Sequence, residues 1–358
     1  MTNGNRLLVV CPSWLGDAVM ATPALRALRQ AMPGAYIGAL VRPGIDQILD
    51  GLTSVDEFHV DRPTGVFGPK RVAAKLRPRR YSTALLLTNS FSTALVTRVA
   101  GITKRVGYER DGRGFLLTHK LRAPERDDSS AIKRKWKVVP AVEYYMNAVR
   151  TMLNTETPTG NMELAVTERD EADAHRVRAS LDLNEPFAIL NPGGNNPAKR
   201  WPADRFVEIG VHLWRAHSLR PMVNGSPNEA ELCDAIARGI KDADADANAA
   251  SLPAHGNTIR ALKALCRDAS AMVTNDTGPR HIAAAFGTPV VSLFGPTDHR
   301  WTTIPTQPLA DGRPSEAVLV ADPTLPETEL ANDHPERCAV DRITTDRVKS
   351  ALDSLLGA

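Results

Sequence analysis

The stretch VTNDTGPRHIAAAFGTPVVSLFGPT, residues 273–297, shows the unit from which this chain is built. A β-branched strand ends in Asn275 and Asp276, Thr277 and Gly278 open a helix, and a second strand follows. Free backbone N–H groups at such a helix start, together with a hydroxyl, attract an anion, and a diphosphate meets that requirement. The alternative is a capped helix whose polar residues satisfy only its own backbone. The stretch therefore predicts a strand–turn–helix–strand unit with a candidate anion site at its turn.

The rest of the chain alternates between strand-like and helix-like segments. This alternation predicts an α/β protein with parallel sheets and right-handed crossovers. The strands are predicted at 6–10, 36–40, 57–60, 82–88, 187–193, 220–225, 271–275 and 289–295. The helices are predicted at 22–32, 90–101, 141–153, 168–181, 202–217, 228–240, 258–269, 279–287 and 344–357. Thr22 is expected to be the N-cap of the first helix.

Three segments interrupt this alternation and divide the chain. Residues 110–140 are polar and basic and suit a mobile loop or lid, and residues 305–337 are rich in Pro, Asp and Glu and are expected to be loop. The turn-rich stretch 154–164 is the expected linker. We therefore predict two Rossmann-like domains, 1–160 and 161–340, with a cleft between them and ligands at the carboxyl ends of the strands. The last segment, 341–358, is a helix that could pack back on the N-terminal domain.

Two further loops of the second domain carry candidate anion contacts. In LNPGGNNPAKRWPADRF (190–206), Lys199 and Arg200 precede a helix start, where cations are repelled unless an anion lies between them. Asn195 of the same loop is a further donor-binding candidate. Glu229 follows a strand that ends in a glycine and could accept bonds from ribose hydroxyls, or it could simply stabilise the first turn of a helix. His281 lies one turn inside its helix, close enough to supply one more donor.

The N-terminal stretch LLVVCPSWLGDAVMATPAL (7–25) has the strand–turn–helix form of a phosphate loop, yet it carries a carboxylate, Asp17, directly after its only glycine. The stretch does not have the G-x-G-x-x-G spacing of an NAD-binding turn, since Gly16 is its only glycine. The dipole of the following helix should keep Asp17 ionised. A carboxylate held in this way can act as a base.

Charge is unevenly distributed along the chain. Residues 1–165 contain 24 lysines and arginines against 14 aspartates and glutamates, whereas the remainder contains 20 against 27. Much of the positive charge lies in 69–80, 104–114 and 133–137. No nucleic-acid motif accompanies it, so an anionic membrane surface, a phosphorylated substrate or a merely solvated face are the remaining interpretations. Four scattered cysteines favour a reducing, cytoplasmic setting without structural zinc.

Three motifs in order, PSWLGDAVMATPAL, NPGGNNPAKRWPADRF and VTNDTGPRHIAAAFGTPVVSLFGPTD, resemble the ADP-heptose:lipopolysaccharide heptosyltransferases, especially those of the heptosyltransferase II type. The resemblance extends over about residues 6–300 and includes VGYERDGRGFLLT (106–118). It implies a GT-B fold, α/β with two Rossmann-like domains whose parallel sheets face a central cleft, the donor bound mainly by the C-terminal domain and the acceptor by the N-terminal one. After position 300 the chain departs from the family.

The resemblance also implies roles for individual residues. Asp17 matches the general base, and Lys199 matches the lysine that contacts the donor's phosphates or sugar. Asp276, Thr277 and Gly278 match the donor-sugar and diphosphate loop, followed by His281, and Glu229 is a less certain ribose contact. The acceptor-side candidates are Ser13, Trp14, Gly16, Asn89 and Arg113.

The activity implied is inverting, metal-independent transfer of a heptose from ADP-heptose to a hydroxyl of the lipopolysaccharide inner core, with no cofactor and no metal. We expect a monomeric cytoplasmic protein that binds a nucleotide-sugar donor and a lipid-linked anionic glycan, with room for peripheral contact at the inner face of the cytoplasmic membrane and no nucleic-acid partner. Two alternatives stay open. One is a related glycosyltransferase with another nucleotide sugar and another glycan or lipid acceptor, and the other is a non-catalytic nucleotide-sugar-binding protein.

Overall fold

Residues 5–125 and 136–357 are described by a computed structural model of the chain. They form two compact units. The first unit comprises Met1–Ala165 with Arg300–Ile304, and the second comprises Val166–His299 with Pro305–Ala358.

The first unit is built on a parallel sheet. Its strands are β1 (Arg6–Val10), β2 (Tyr36–Val41), β3 (Glu57–Val60), β4 (Thr83–Leu86), β5 (Lys104–Tyr108) and β6 (His119–Leu121). Its helices are α1 (Leu15–Met20), α2 (Thr22–Ala31), α3 (Ile45–Leu49), α4 (Gly68–Leu76), α5 (Phe91–Val99) and α6 (Ala141–Leu153). The strand order is β3-β2-β1-β4-β5-β6. Because the order reverses direction between β1 and β4, their carboxyl ends form the crevice where such sheets bind ligands.

The second unit repeats this plan. Its strands are β7 (Phe187–Asn191), β8 (Arg220–Val223), β9 (Ala250–Ser251), β10 (Ala271–Asn275), β11 (Val290–Phe294) and β12 (Glu316–Val320). Its helices are α7 (Glu168–Leu181), α8 (Ala203–His217), α9 (Ala230–Ala243), α10 (Ile259–Asp268), α11 (Gly278–Phe286) and α12 (Thr345–Leu356). The order is β12-β11-β10-β7-β8-β9, again all parallel, with the switch point between β7 and β10. Two six-stranded parallel sheets confirm the predicted α/β class.

Two segments predicted as loop contain strands. Within 110–140, residues His119–Leu121 form β6 and extend the first sheet beyond β5, while residues 126–135 lie outside the described part of the chain. Within 305–337, Glu316–Val320 forms β12 and pairs with β11 from Val290↔Glu316 to Phe294↔Val320. Both are edge strands, and an edge strand is stabilised by a single neighbour that its own sequence does not reveal. The loop prediction was therefore wrong at these two places.

The first helix begins differently from the prediction. Thr22 is the first residue of α2 rather than its N-cap, which is Ala21. The Thr22 hydroxyl donates to the carbonyl of Val19, 2.8 Å away, because the short helix α1 ends immediately before α2 and offers its last carbonyls. Thr22 is thus used to join two consecutive helices.

The C-terminal helix α12 packs on the second unit, whereas the sequence had allowed it to pack on the first. Val348, Leu352 and Leu355 on its inner face join the buried cluster that contains Leu213 of α8. The amphipathic spacing of these residues predicts an apolar stripe but cannot say which surface covers it. Among the described residues, no helix is both long and apolar enough to cross a bilayer.

Candidate active site

Asparagines at the strand ends organise the loops of the second unit. Asn191 ends β7, and its side-chain Nδ2 donates to the Thr277 hydroxyl at 2.8 Å. Its side-chain oxygen, Oδ1, accepts from Nδ2 of Asn224 at 2.7 Å. Asn275 ends β10, donates to the carbonyl of Pro192 at 2.7 Å and accepts from the backbone N–H of Trp201 at 3.2 Å. All three asparagines are buried, so these bonds lock the loops in place. Sequence reasoning missed this network, although an Asn follows the apolar run of each of these strands.

Lys199 and Asp276 form an ion pair in the same set of loops. The Lys199 Nζ lies 2.7 Å from Oδ2 of Asp276, and Arg280 approaches the other carboxylate oxygen at 3.9 Å. Burial disfavours the charged carboxylate, but Lys199 and Arg280 together hold the pKa of Asp276 below its ordinary value. Arg280 is itself buried and held by Glu316 of β12 at 2.6 Å. Two cations and two carboxylates thus form a paired cluster beside the start of α11.

The start of α11 is half-buried at residues 276–279. Thr277 is its N-cap residue, and the Thr277 side chain makes no capping hydrogen bond to the helix. His281 is buried, and its Nδ1 lies 3.2 Å from the carbonyl of Thr277, so Nδ1 must carry the proton and donate. Burial and the nearby Arg280 lower the pKa of His281 to about 4, which keeps the ring neutral at pH 7. Its Nε2 is then a buried acceptor with no hydrogen-bond partner among the described residues.

Glu229 connects the loop after β7 with the loop after β8. Its Oε1 accepts from the backbone N–H of Gly194 at 2.7 Å, and its Oε2 accepts from the N–H and hydroxyl of Ser226, both at 2.8 Å. Although burial disfavours its charge, these bonds keep the pKa of Glu229 below its ordinary value. A Cβ at position 193 would collide with this carboxylate, which explains the glycine there. Contact of Glu229 with a ribose stays a prediction.

The remaining donor candidates lie on the loop after β7. Asn195 is exposed, and Arg200 is exposed with its Nε donating to the carbonyl of Gly194 at 2.9 Å. Lys199 ends a short 3-10 turn that follows these glycines, and α8 begins shortly after it at Ala203. The structure therefore brings Lys199, Asp276, Thr277, Gly278 and His281 together, with Asn195 and Arg200 at the open edge of the same loops.

In the first unit, Asp17 is held by a tyrosine from a distant helix. Asp17 lies in the first turn of α1, and its Oδ1 accepts a hydrogen bond from the Tyr145 hydroxyl at 2.9 Å. Tyr145 is buried on α6, and burial together with the neighbouring Asp17 raises its pKa well above the ordinary value, so it stays a donor. Sequence reasoning missed Tyr145, which lies 128 residues away in the chain.

The neighbouring strand ends of the first unit enclose a cavity of about 210 Å³. Its lining includes the hydroxyls of Ser13 and Thr88, the guanidinium groups of Arg42 and Arg62, and the carboxylate of Asp61, which is paired with Arg71 and Lys75. Burial and the charge of Arg62 lower the pKa of Arg42, as expected where two cations lie close together. Of the other predicted residues beside Asp17, Gly16 is buried within α1, whereas Trp14 is 62% exposed. The cavity has the polarity and charge to take an anionic ligand.

Arg113 and Asn89, two of the acceptor-side candidates, are bonded to each other. The guanidinium of Arg113 is fully buried and donates to the carbonyls of Thr88 and Tyr108 and to Oδ1 of Asn89, the last at 3.1 Å. Burial lowers the pKa of Arg113 to about 10. The same Asn89 oxygen accepts from the Tyr144 hydroxyl at 3.2 Å. Arg113 therefore fixes the side chain of Asn89, and contact of either residue with an acceptor stays a prediction.

Within the described residues, one group of side chains could hold a metal ion, formed by His212, His217 and Asp353. The two histidines lie on α8 and the aspartate on α12. Since α8 starts near the carboxyl ends of the strands and runs back toward their amino ends, its last residue, His217, lies at the edge opposite the loops with Lys199. The four cysteines are buried and unpaired, and burial raises the pKa of Cys11 to about 12.

Solved structures with the same fold define the class of this protein. It matches the structure of E. coli ADP-heptose lipopolysaccharide heptosyltransferase II with a TM-score of 0.77 and 24% identity, over 98% of both chains. It also matches an E. coli heptosyltransferase solved with ADP-2-deoxy-2-fluoro heptose, with a TM-score of 0.68 and 20% identity over 98% of this chain and 99% of that one. The two parallel sheets have the GT-B fold of these structures.

The sequence identifies the family. Residues 70–320 match the family model of glycosyltransferase family 9 (heptosyltransferase), and the chain belongs to that family. It is 28% identical over 309 residues to lipopolysaccharide heptosyltransferase 2 of E. coli K12, which covers 83% of this chain and 84% of that protein. The resemblance drawn from the three motifs is confirmed, and the protein is a glycosyltransferase enzyme.

Proposed function

We propose that this enzyme transfers a heptose from ADP-heptose to a hydroxyl of the lipopolysaccharide inner core, with inversion and without a metal ion. Family membership and the likeness to lipopolysaccharide heptosyltransferase 2 support the sugar and the acceptor. A structure of the same fold was solved with a fluorinated ADP-heptose, which supports the donor. The observation that carries the proposal is the Lys199–Asp276 pair, at 2.7 Å, beside the uncapped start of α11.

The second unit would bind the donor. A diphosphate is attracted to the free N–H groups at the start of α11 and to the Lys199 ammonium. In this arrangement Lys199 exchanges part of its contact with Asp276 for the phosphate oxygens, and Asp276 becomes available to the sugar hydroxyls. The buried asparagines hold the loops so that little reorganisation is needed on binding.

The first unit would bind the acceptor. Asp17 takes the proton from the acceptor hydroxyl as its oxygen forms a bond to the anomeric carbon. The bond from that carbon to the diphosphate oxygen breaks, ADP leaves with the electron pair, and inversion follows from attack opposite the leaving group. Lys199 and the start of α11 stabilise the negative charge that develops on the diphosphate, which is the role a metal ion plays elsewhere. The arginine-lined cavity suits the anionic groups of a lipid-linked core.

A transfer assay tests the proposal directly. Purified enzyme, a lipopolysaccharide precursor that lacks the outer heptose, and ADP-heptose should give ADP and a heptosylated product, with ADP-glucose and UDP-sugars much poorer donors. Chelation of metal ions should leave the rate unchanged. Asp17→Asn should lower kcat by about 10²–10⁴-fold while donor affinity stays close to that of the wild type. Efficient use of a different nucleotide sugar would reassign the donor, and donor binding without transfer to any acceptor would support a binding protein instead.

We also propose that the enzyme works in the cytoplasm, at the inner face of the cytoplasmic membrane. The acceptor is anchored in that membrane, and the first half of the chain carries the excess of lysines and arginines. Anionic lipid headgroups attract such a surface.

A further inference from the structure

Two apolar side chains stand out at the surface of the first unit. Val66 and Phe67 are 90% and 77% exposed, in the turn between β3 and α4. Single exposed apolar residues need no explanation, but packing within the unit does not explain two adjacent apolar side chains that lie mostly in solvent.

The turn that carries these side chains is well formed. Gly65 adopts a left-handed backbone with φ 72°, and the backbone N–H of Gly68 donates to the carbonyl of Gly65 at 3.2 Å. The close approach of Gly68 to Pro63 leaves too little room for a Cβ, and Arg71 donates to the carbonyl of Arg62 at 3.0 Å. These contacts fix the turn at both ends, so the backbone position of its tip, Val66 and Phe67, is fixed as well.

The helix behind the turn is amphipathic. Val72, Ala73 and Leu76 of α4 are buried in the core of the first unit. Lys70 and Lys75 lie on its exposed outer surface. Because the apolar side of α4 is already used inside the unit, the apolar tip and the basic surface form a separate feature that faces outward.

Positive charge dominates this segment. Residues 57–80 contain seven lysines and arginines and two carboxylates. Asp61 is paired with Arg71 at 2.9 Å and with Lys75 at 2.7 Å, and Glu57 is paired with Arg79 at 2.6 Å. The two carboxylates therefore neutralise only part of the charge.

We propose that the turn of residues 61–67 and the outer surface of α4 dock on an anionic phospholipid bilayer. Val66 and Phe67 insert at the boundary between headgroups and acyl chains, and the lysines and arginines around them contact the lipid phosphates. An apolar tip of two residues buries too little area for a stable protein–protein interface, and the segment offers no row of aromatic side chains for nucleic-acid bases. An anionic bilayer binds a surface that combines a small apolar tip with positive charge, and this segment has both.

Docking at this turn has a consequence for the acceptor, which rests on the function proposed above. Arg62, Pro63 and Thr64 of the same turn line the cavity beside Asp17's loop. Insertion of Val66 and Phe67 would hold the mouth of this cavity close to the lipid surface. A lipid-linked acceptor could then reach the cavity without leaving the bilayer.

Vesicle binding by the full chain tests the docking itself. Wild-type protein should sediment with vesicles of phosphatidylethanolamine and phosphatidylglycerol and much less with vesicles of phosphatidylcholine alone. The double variant Val66→Ser/Phe67→Ser should bind the anionic vesicles about tenfold more weakly or worse. Phe115→Ser removes another strongly exposed Phe of the same unit and should bind as the wild type does. Lys70→Glu should weaken binding, whereas Lys241→Glu, on exposed α9 of the second unit, should not.

Transfer activity separates docking from catalysis. The double variant should lose rate on an acceptor embedded in vesicles and keep the wild-type rate on a de-acylated, soluble acceptor. Wild-type binding of the double variant to anionic vesicles would overturn the proposal, as would equal binding of wild-type protein to both kinds of vesicle or equal loss of rate on both acceptors. If the wild-type enzyme transfers no heptose at all, the proposed function fails while the vesicle measurements still decide the docking.

Discussion

The hydroxyl of Tyr145 donates a hydrogen bond to Oδ1 of Asp17 across 2.9 Å. Asp17 lies on α1 and Tyr145 lies on α6. The carboxylate proposed as the base is therefore oriented by a helix that follows it by more than a hundred residues in the sequence. A base needs a fixed direction as well as a negative charge, and the buried tyrosine supplies the direction.

We therefore predict that Tyr145→Phe lowers kcat by about tenfold and leaves the KM for the donor almost unchanged. A hydrogen bond to a carboxylate favours its charged form, so its removal should also move the acidic limb of the rate profile to higher pH. Steady-state kinetics across a pH series measure both effects. Tyr81→Phe is the control, because this buried tyrosine of the same unit bonds to His59 instead. An unchanged pH profile with a lower kcat would show that Tyr145 acts only through packing.

Lys199 and Asp276 make a second, separable prediction. Lys199→Met should lower kcat by about 10²-fold, because the departing diphosphate loses its nearest cation. It should also destabilise the fold by about 1–3 kcal/mol, since Asp276 is left buried without its closest partner. The double variant Lys199→Met/Asp276→Asn should recover stability in urea unfolding but not transfer. Recovery of both would mean that the pair is structural, and Lys241→Met serves as the control for loss of an exposed lysine.

The strands that carry the site could be predicted from the sequence because they are buried on both faces and read as apolar runs. β1, β7 and β10 lie where the pattern put them, and the loops with Lys199 and Thr277 follow β7 and β10 as expected. Asp17 follows β1 but lies in α1, a short helix that was not predicted. The strands β6 and β9 were not predicted, since three and two residues carry little periodicity. The edge strand β12 was not predicted either, because it is only partly buried and does not form an apolar run bounded by turn residues. Helix α4 was not predicted, because its lysines and arginines interrupt the apolar spacing of the buried Val72 and Leu76.

The tertiary partners of the site lie beyond what periodicity can reveal. Nothing in the local sequence of Asp17 points to Tyr145, and nothing near Arg280 points to Glu316 on β12, 36 residues later. Arg113 is a further case, since nothing near it in the sequence points to its burial or to its hydrogen bond with Asn89, 24 residues away. Contacts between residues far apart in the sequence decide these partners, and the spacing of residues along the chain does not reveal such contacts.

Acid should destabilise the second unit through His281. Burial and Arg280 lower its pKa to about 4, whereas the unfolded chain has the ordinary value of 6.5. A histidine with a lowered pKa contributes full stability above pH 6.5 and loses it as pH falls toward 4, because the unfolded state binds the proton more tightly. At pH 5 the loss is about 2 kcal/mol. Urea unfolding at pH 7 and pH 5 should show this loss in the wild type and a smaller one in His281→Gln.

The opposite edge of the second unit offers a stability test that leaves the site untouched. Oδ1 of Asp353 on α12 accepts from Nε2 of His212 at 2.7 Å and from Nε2 of His217 at 2.8 Å, both on α8. Burial works against its charge, but the two histidines lower the pKa of Asp353 below its ordinary value. Its stabilising effect is therefore present above that ordinary value and disappears as pH falls through the lowered one.

We expect Asp353→Asn to lower the free energy of unfolding at pH 7 by about 1 kcal/mol, a figure reduced for the partial exposure of the carboxylate. Donor KM and kcat should not change, because α12 packs mainly on α8, β11 and β12, and Asp353 lies at the edge opposite the loops that hold Lys199. Glu329→Gln is the matched control, since its carboxylate pairs with His334, at 2.8 Å, and does not connect two helices. Its effect on unfolding should be close to zero. Equal stability losses in the two variants would mean that the double hydrogen bond adds nothing to the docking of α12.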